Sequence, residues 1–228
     1  MQDNLSQTAY FKGLNEAGLR RVWSVAHVHV YQAGALIFAE GMRCSGFFVL
    51  LEGSVRVFRV GHEGRLHTLN LLRPISTFNE VSAVDGRVNP FNATALTDSR
   101  VLIISRTHLL RLMSDEPTLL SNYVQQLAQM NRDYLERLED MTFRSIPSRL
   151  AKLLLHETTY ADQIAETPTK LTQEEIAAIL GTTREVVGRA VRGLLVAGLL
   201  KKRGRELYIQ DRDGLEYLSV NNELPPKA

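Results

Sequence analysis

One stretch, residues 171–200 (LTQEEIAAILGTTREVVGRAVRGLLVAGLL), constrains the fold of this chain more than any other. It reads as two helices around a tight turn. Thr172 followed by Glu175 forms a capping box, in which the hydroxyl accepts from an orphan N–H and the carboxylate reaches back. Ile176, Ala177 and Leu180 then make a short apolar face, and Gly181 ends the helix where a left-handed residue costs least. Thr183 caps a second helix. On its wheel Val187, Ala190, Val191 and Leu194 share one side, while Arg184, Glu185, Gly188, Arg189 and Arg192 fall on the other. The first side is a core. The second offers long guanidinium forks and a carboxylate, with a glycine between them that permits close approach.

That second side suits a DNA major groove. Arg donates two bonds to guanine O6 and N7 and Glu accepts from cytosine N4, so G·C pairs are its natural target. Thr172, Gln173 and Thr183, at the helix starts, are placed to meet phosphates. Lys201, Lys202, Arg203 and Arg205 surround Gly204 at an expected hairpin tip, ahead of the alternating Leu207, Tyr208 and Ile209. Such a cationic turn fits a wing that grips phosphate. The competing reading of both features is an ordinary helical hairpin and a solvated turn.

With 228 residues the chain has room for about two domains. A net charge of +2 says little about partners, because basic and acidic residues balance up to residue 143 and the small excess lies beyond it. Nucleic-acid binding is therefore argued from placement and not from bulk charge. No apolar run reaches the ~18 residues of a membrane span, and the opening MQDNLSQTAY lacks a signal-peptide core, so a cytoplasmic protein without a membrane partner is expected. Cys44 is the single cysteine, which excludes an intrachain disulfide and a cluster held by several cysteines of one chain.

Residues 11–26 predict a short amphipathic helix contacting a core through Leu14, Leu19, Val22 and Trp23. Short strands and glycine turns follow: Val28, Val30 and 36–38, then the continuous run FFVLL, a turn at Gly53, and the alternation Val55, Val57, Val60. A polar tip at 62–64 leads to Leu66, Leu69, Leu71 and Leu72, and one further strand over 93–104 closes the set. This density of strands indicates a barrel or sandwich. In 117–143, Leu120, Val124, Leu127, Asn131, Tyr134, Leu138 and Met141 recur at alternating steps of four and three, the seam of a coiled coil. No second helix of this kind occurs in the chain, so its partner is another copy; the alternative is that the same stripe packs on the β-domain. Residues 143–148, with Pro147, read as a hinge, Leu150, Leu153 and Leu154 as a helix of the DNA-binding unit, 158–170 as a polar connection, and the tail after Leu218 as frayed.

The pattern T-x-x-E-I-A-x-x-L-G-T-T-R-E-V-V-G-R-A resembles the winged helix-turn-helix signature of the CRP/FNR regulators, and A-G-x-L-I-F-x-E-G with F-x-V-L-L-x-G-S-V-R-V resembles their cyclic-nucleotide-binding β-roll. The resemblance implies an α+β chain: a double-stranded β-helix (jelly-roll-like β-roll) sensing an effector over 1–116, a dimerisation helix over 117–143, and a winged helix-turn-helix over 144–228. It makes Ala177 and Gly181 the packing pair at the turn, and Arg184, Glu185 and Arg189 the base readers. It further implies a homodimer on a pseudo-palindromic operator with TGTGA-like half-sites, and RNA polymerase as a partner.

The same family places a ligand cradle between strands, here residues 76–92. Its cyclic-AMP members carry Gly-Glu at the start of a short helix and Arg-Ser about ten residues on, the Glu taking the ribose and the Arg the cyclic phosphate. This chain keeps Glu80 but has Asn79 for the glycine, and Asn89 and Pro90 for Arg-Ser. Losing that arginine removes a charge-assisted pair of ~1.5–3 kcal/mol. Where those relatives touch the base with Thr-Ser, this chain has Tyr134 and Leu135. Phe78, Asn79, Glu80, Val81, Asn89, Pro90, Tyr134 and Leu135 are thus the candidate effector pocket, for something other than cyclic AMP. Arg87 is expected to point to solvent, and Glu80 to serve either the ligand or the turn.

Other chemistry is thinly supported. His27 and His29 share a strand face and His62 and His67 flank a hairpin, which leaves a haem-based gas or redox sensor as an alternative, but no third matching ligand stands nearby. Cys44 lies in a glycine-bounded turn and is expected to be exposed. No Walker loop, HExxH, catalytic triad or paired carboxylates occur, so an enzyme is not expected. A constitutive DNA binder with a vestigial pocket is the remaining alternative.

Overall fold

The computed structural model describes residues 5–61, 64, 66–159, 171–204 and 206–226. They pack as two units, one ending at Tyr134 and the other beginning at Leu135, so the division falls within a single helix and not at either of its ends.

In the first unit, residues 5–13 form turns that bury Leu5, Tyr10 and Phe11. Helix α1 (Glu16–Val25) starts later than the periodicity predicts because the Asn15 side chain caps it, accepting from the Gly18 N–H at 2.8 Å. The strands are β1 (Ala26–Tyr31), β2 (Leu36–Phe38), β3 (Phe47–Glu52), β4 (Val55–Val60), β5 (Leu66–Leu72), β6 (Thr77–Phe78), β7 (Asn92–Ala95) and β8 (Ser99–Ile104). They form two antiparallel sheets, ordered β1-β8-β3-β6 and β2-β7-β4-β5.

The apolar run in β3 makes sense once both its faces are seen to be covered. Phe48 and Leu50 point between the sheets with Phe38, Val57 and Val101, whereas Phe47, Val49 and Leu51 join Leu102 and Ile104 beneath a layer of helices. A strand buried on both sides loses the alternation of a half-exposed one. The expected strand over 93–104 is two strands, β7 and β8, in different sheets. The break follows from the turn at Gly53, where an added Cβ would lie 2.4 Å from the Asp98 carbonyl, and from Leu96 N–H bonding to the Ser54 carbonyl at 2.8 Å.

Helices α2 (Glu80–Asp85), α3 (Arg106–Asp115) and α4 (Pro117–Phe143) follow. Leu119 and Tyr123 of α4 are buried in the helical layer, and Asn122 donates to the carbonyls of Tyr10 (3.0 Å) and Lys12 (2.7 Å). This is not the four-three stripe. Leu120, Val124, Asn131, Tyr134, Leu138 and Met141 are exposed, and Leu127, on the border between the two stripes, is half-buried against the core.

The second unit holds the end of α4, α5 (Ile146–Thr159), α6 (Gln173–Leu180), α7 (Arg184–Val196), the hairpin β9 (Leu200–Arg203) and β10 (Glu206–Ile209), and α8 (Arg212–Asn221). Its core combines Leu150 and Leu154 of α5 with Ile176, Leu180, Val187, Val191, Leu194, Leu207 and Leu215. Thr158 and Thr159, expected in a polar connection, end α5; the rest of that connection lies outside the described residues. The tail expected to fray instead continues α8 to Asn221. Asp211 starts it, accepting from the Gly214 N–H, and Leu215 and Leu218 anchor it in the core. Among the described residues no helix is long and apolar enough to cross a membrane.

Leu154 is almost completely buried in the second core. Leu154→Ala is expected to destabilise the protein by ~2–5 kcal/mol, read as a lower urea midpoint by circular dichroism; an unmoved midpoint would contradict this packing.

Candidate nucleic-acid interface and effector cradle

Helix α6 opens with the expected capping box: Thr172 Oγ1 accepts from Glu175 N–H (3.2 Å) and the Glu175 carboxylate accepts from Thr172 N–H (2.8 Å). Thr172 also donates its hydroxyl to that carboxylate at 2.8 Å, so its side chain already serves the helix start. Gly181 ends α6 with φ +64°, and Thr183 caps α7 by accepting from Val186 N–H. A contact the sequence did not disclose completes the turn: Arg149 of α5 donates to the Leu180 carbonyl at 2.5 Å, satisfying a C-terminal group of α6. Partial burial lowers the Arg149 pKa from its usual value.

On α7, Arg184, Glu185, Arg189 and Arg192 are exposed, as expected. Gly188 is not. It is buried, and a Cβ there would stand 3.5 Å from Gln173 Oε1, so the half-buried Gln173 at the start of α6 lies against it. The wheel placed Gly188 on the open side because it could not include a side chain from a neighbouring helix. Hydrogen bonds from its own backbone N–H and from Thr183, with Arg184 and Arg189 nearby, hold the fully exposed Glu185 carboxyl below the usual range. It stays an anion and an acceptor.

The wing forms as read, β9 and β10 pairing Arg203 with Glu206 and Lys202 with Leu207 across the turn at Gly204. Lys201 is half-buried, Lys202 and Arg203 are exposed, and the Arg203 guanidinium sits 5.4 Å from the Tyr208 ring centroid. Arg205 lies outside the described residues.

In the first unit the residues between β6 and β7 bond to one another and to residues 39–46, but the Asn79 Oδ1 is buried without a hydrogen-bond partner among the described residues. Asn79 occupies a left-handed conformation (φ +67°) that Asn tolerates better than most residues, with glycine the natural occupant. Its Nδ2 donates to Asn89 Oδ1 (3.1 Å), the Gly46 carbonyl (3.1 Å) and Cys44 Sγ (3.3 Å). Asn89 in turn donates to the Ala39 carbonyl at 3.3 Å, and both asparagines are buried. Glu80 begins α2, buried, accepting from the Thr77 hydroxyl at 2.7 Å. Burial pushes its carboxyl above the usual range, outweighing the bonds from its own backbone N–H and Thr77. Tyr123 donates to the Glu80 carbonyl at 2.8 Å, which ties α4 to the start of α2.

The remaining cradle positions are dispersed. Phe78 is core, stacked on Phe48 at 5.0 Å between centroids; Val81 and Pro90 are exposed; Tyr134 and Leu135 are exposed on α4, with Leu135 assigned to the second unit. Arg87 is exposed beside Asp85, as expected. Cys44 departs from expectation: it is half-buried, and burial raises its thiol pKa, the opposite of an activated thiolate. Its link to Asn79 has no sequence signature, and Tyr123 falls one step off the four-three seam of α4. His27 and His29 are exposed on β1, His67 is half-buried on β5, and His62 lies outside the described residues. Among the described residues, no three His, Cys, Asp or Glu side chains converge as metal ligands do.

Because Glu80 is raised in the folded protein, its contribution to stability is full below the unfolded carboxylate value near pH ~4.3 and is lost as pH climbs through the folded value. Glu80→Gln keeps an acceptor for Thr77 and removes that titration. The stability of the parent relative to the variant, from urea midpoints, is expected to fall as pH rises; a pH-independent difference would contradict the burial.

Comparison with known proteins places these features in one family. Residues 28–116 match the cyclic nucleotide-binding domain family, and 148–218 the Crp-like helix-turn-helix domain family. The chain is 30% identical to the transcriptional regulator SdrP of Thermus thermophilus, over 83% of this chain and 92% of that protein. It is 26% identical to the CRP-like cAMP-activated global transcriptional regulator of Mycobacterium tuberculosis, over 94% and 98%. A crystal structure of a CRP/FNR-family regulator from Thermus thermophilus superposes with a TM-score of 0.69 at 26% identity, covering 85% of this chain and 98% of that one. These relatives are transcription regulators. The chain belongs to the CRP/FNR family of DNA-binding transcription regulators.

Proposed function

We propose that this chain acts as a cytoplasmic homodimer that reads a pseudo-palindromic operator with TGTGA-like half-sites, under the control of an effector other than cyclic AMP. The observation that carries the reading is the surface of α7: Arg184, Glu185 and Arg189 stand exposed on a helix whose other side is locked in a core, with a cationic hairpin following. Arg184 and Arg189 take guanine edges and Glu185 a cytosine amine. Thr183, Gln173 and the N-terminus of α7 lie toward phosphate, and Lys201, Lys202, Arg203 and Arg205 form the wing contact.

The second copy covers the exposed stripe of α4. Leu120, Val124, Tyr134, Leu138 and Met141 are each about half exposed or more, more apolar area than one helix leaves to water without a partner. Asn131 lies in that stripe and fixes its register. Two-fold symmetry sets two copies of α7 about one DNA turn apart, ~34 Å. A regulator that occupies promoter DNA in this way works with RNA polymerase as its partner.

Against cyclic AMP stands the chemistry between β6 and β7. A cyclic phosphate needs a facing cation; here the matching positions are Asn89, already bonded to Asn79, and the exposed Pro90, which has no N–H to give. The Asn79–Asn89–Cys44 network, whose two asparagines are buried, also favours a second reading, a constitutive binder whose cradle is vestigial.

On an operator selected from random DNA, Arg184→Ala and Arg189→Ala are each expected to cost ~1–3 kcal/mol and relax preference at one base pair, with affinity falling steeply as salt rises. Variants equal to the parent in gel-shift titrations would defeat the assignment. Cyclic AMP is expected to change neither operator affinity nor thermal midpoint; a gain in either would return the cradle to nucleotide binding. A different metabolite that alters affinity separates the regulated reading from the constitutive one.

A further inference from the structure

Helices α4 and α5 are joined by two residues, Arg144 and Ser145, where the sequence marks a hinge. Side-chain hydrogen bonds nevertheless span that joint, although Phe143, Ser145 and Asn222 are themselves exposed. Asn222, left-handed at the end of α8 (φ +60°), applies one side-chain amide to both helices. Its Oδ1 accepts from Ser145 N–H at 2.7 Å, and its Nδ2 donates to the Phe143 carbonyl at 3.4 Å. These are groups that a helix end and a helix start leave unsatisfied. Arg144 reaches back to α8, donating to the carbonyls of Ser219 and Val220, while its Nε pairs with Asp140 of α4 at 2.7 Å. Ser148 of α5 donates to the Ser219 carbonyl at 3.4 Å. Lys152, one turn further along α5, bonds Glu136 and Asp140 of α4 at 2.6 Å each.

The same corner touches the recognition helix. Ile146 and Pro147, the first residues of α5, line a groove of about 340 Å³ with Val186, Arg189 and Ala190 of α7 and with Leu224 beyond α8. Arg149 of α5 holds the end of α6. A displacement of the last turns of α4 therefore has no soft joint at which to dissipate before it meets α7.

We propose that α8, through Asn222, is a clamp that removes the hinge at 144–145 and makes residues 136–143 of α4 one body with the DNA-reading helices. Asn222 is a positioning residue, since it reads no base. The clamp itself is independent of the proposed function; its consequence for operator binding rests on the dimeric reading, in which the spacing of two α7 helices depends on how stiffly each follows its α4.

Asn222→Gly in the full chain is the direct test, because glycine keeps the left-handed helix end and removes only the amide. The expected result is unchanged helicity, amide exchange at 143–148 faster by about tenfold or more, and affinity for a two-half-site operator lower by about tenfold with single-half-site affinity intact. Asn222→Asp, which can accept from Ser145 but cannot donate to Phe143, is expected to fall between. Exchange at 143–148 that matches the parent would overturn the clamp. Faster exchange with undiminished operator affinity would overturn its role in coupling. Exchange is read without DNA, so it decides the clamp even if no operator is bound, an outcome that would count against the functional reading instead.

Discussion

Leu119 and Tyr123 seat α4 on the helical layer over β3 and β8, and that docking determines which side of the helix is left to water. The two apolar stripes of α4 are neighbours on its surface. Burying one in the roll leaves Leu120, Val124, Leu138 and Met141 of the other exposed. The same docking sets the Tyr123 hydroxyl on the Glu80 carbonyl, so the start of the short helix in the cradle is held by the helix expected to dimerise. A change at α2 has a direct mechanical route to α4. Had the four-three stripe packed on the roll instead, neither the exposed seam nor this link would exist.

Between β6 and β7 the side chains that would meet a ligand under the proposed reading are neutral and largely bonded within the protein. Asn79 takes up a left-handed backbone, and its amide nitrogen then finds Asn89, Gly46 and Cys44. The result is a neutral cluster, hydrogen-bonded except at the Asn79 Oδ1. Burial keeps the Glu80 carboxyl above its usual range for the same reason: the surroundings supply a hydroxyl and a backbone amide, not a positive charge. A charged ligand would have to break this cluster and bring its own counter-charge, whereas a small neutral one would have to break only hydrogen bonds.

The most legible parts of the sequence were those whose structure is local. The Thr172–Glu175 box, Gly181, the Thr183 cap and the Gly204 turn each depend on residues within a few positions, and each forms as read. What was hidden depends on partners far along the chain. Gly188 is buried because Gln173 lies on it from another helix. The strand over 93–104 breaks because Gly53 and Ser54 dock at its middle. Helix α8 has only Leu215 and Leu218 as buried apolar anchors, too few to stand out as a period, and it is held by carbonyls of Ser219 and Val220 that meet Arg144, contacts no local pattern encodes. Asn79, Asn89 and Cys44 were each visible as departures or as an isolated thiol, but their union required the fold.

The account stands or falls on two identical reading heads held in fixed register on DNA. Selecting binding sites for the purified full-length chain from random duplexes tests this most directly. The account predicts enriched sequences with inverted, G·C-containing half-sites whose centres lie about one helical turn apart. Enrichment of a single unpaired motif, of direct repeats at variable spacing, or of no sequence at all would contradict it.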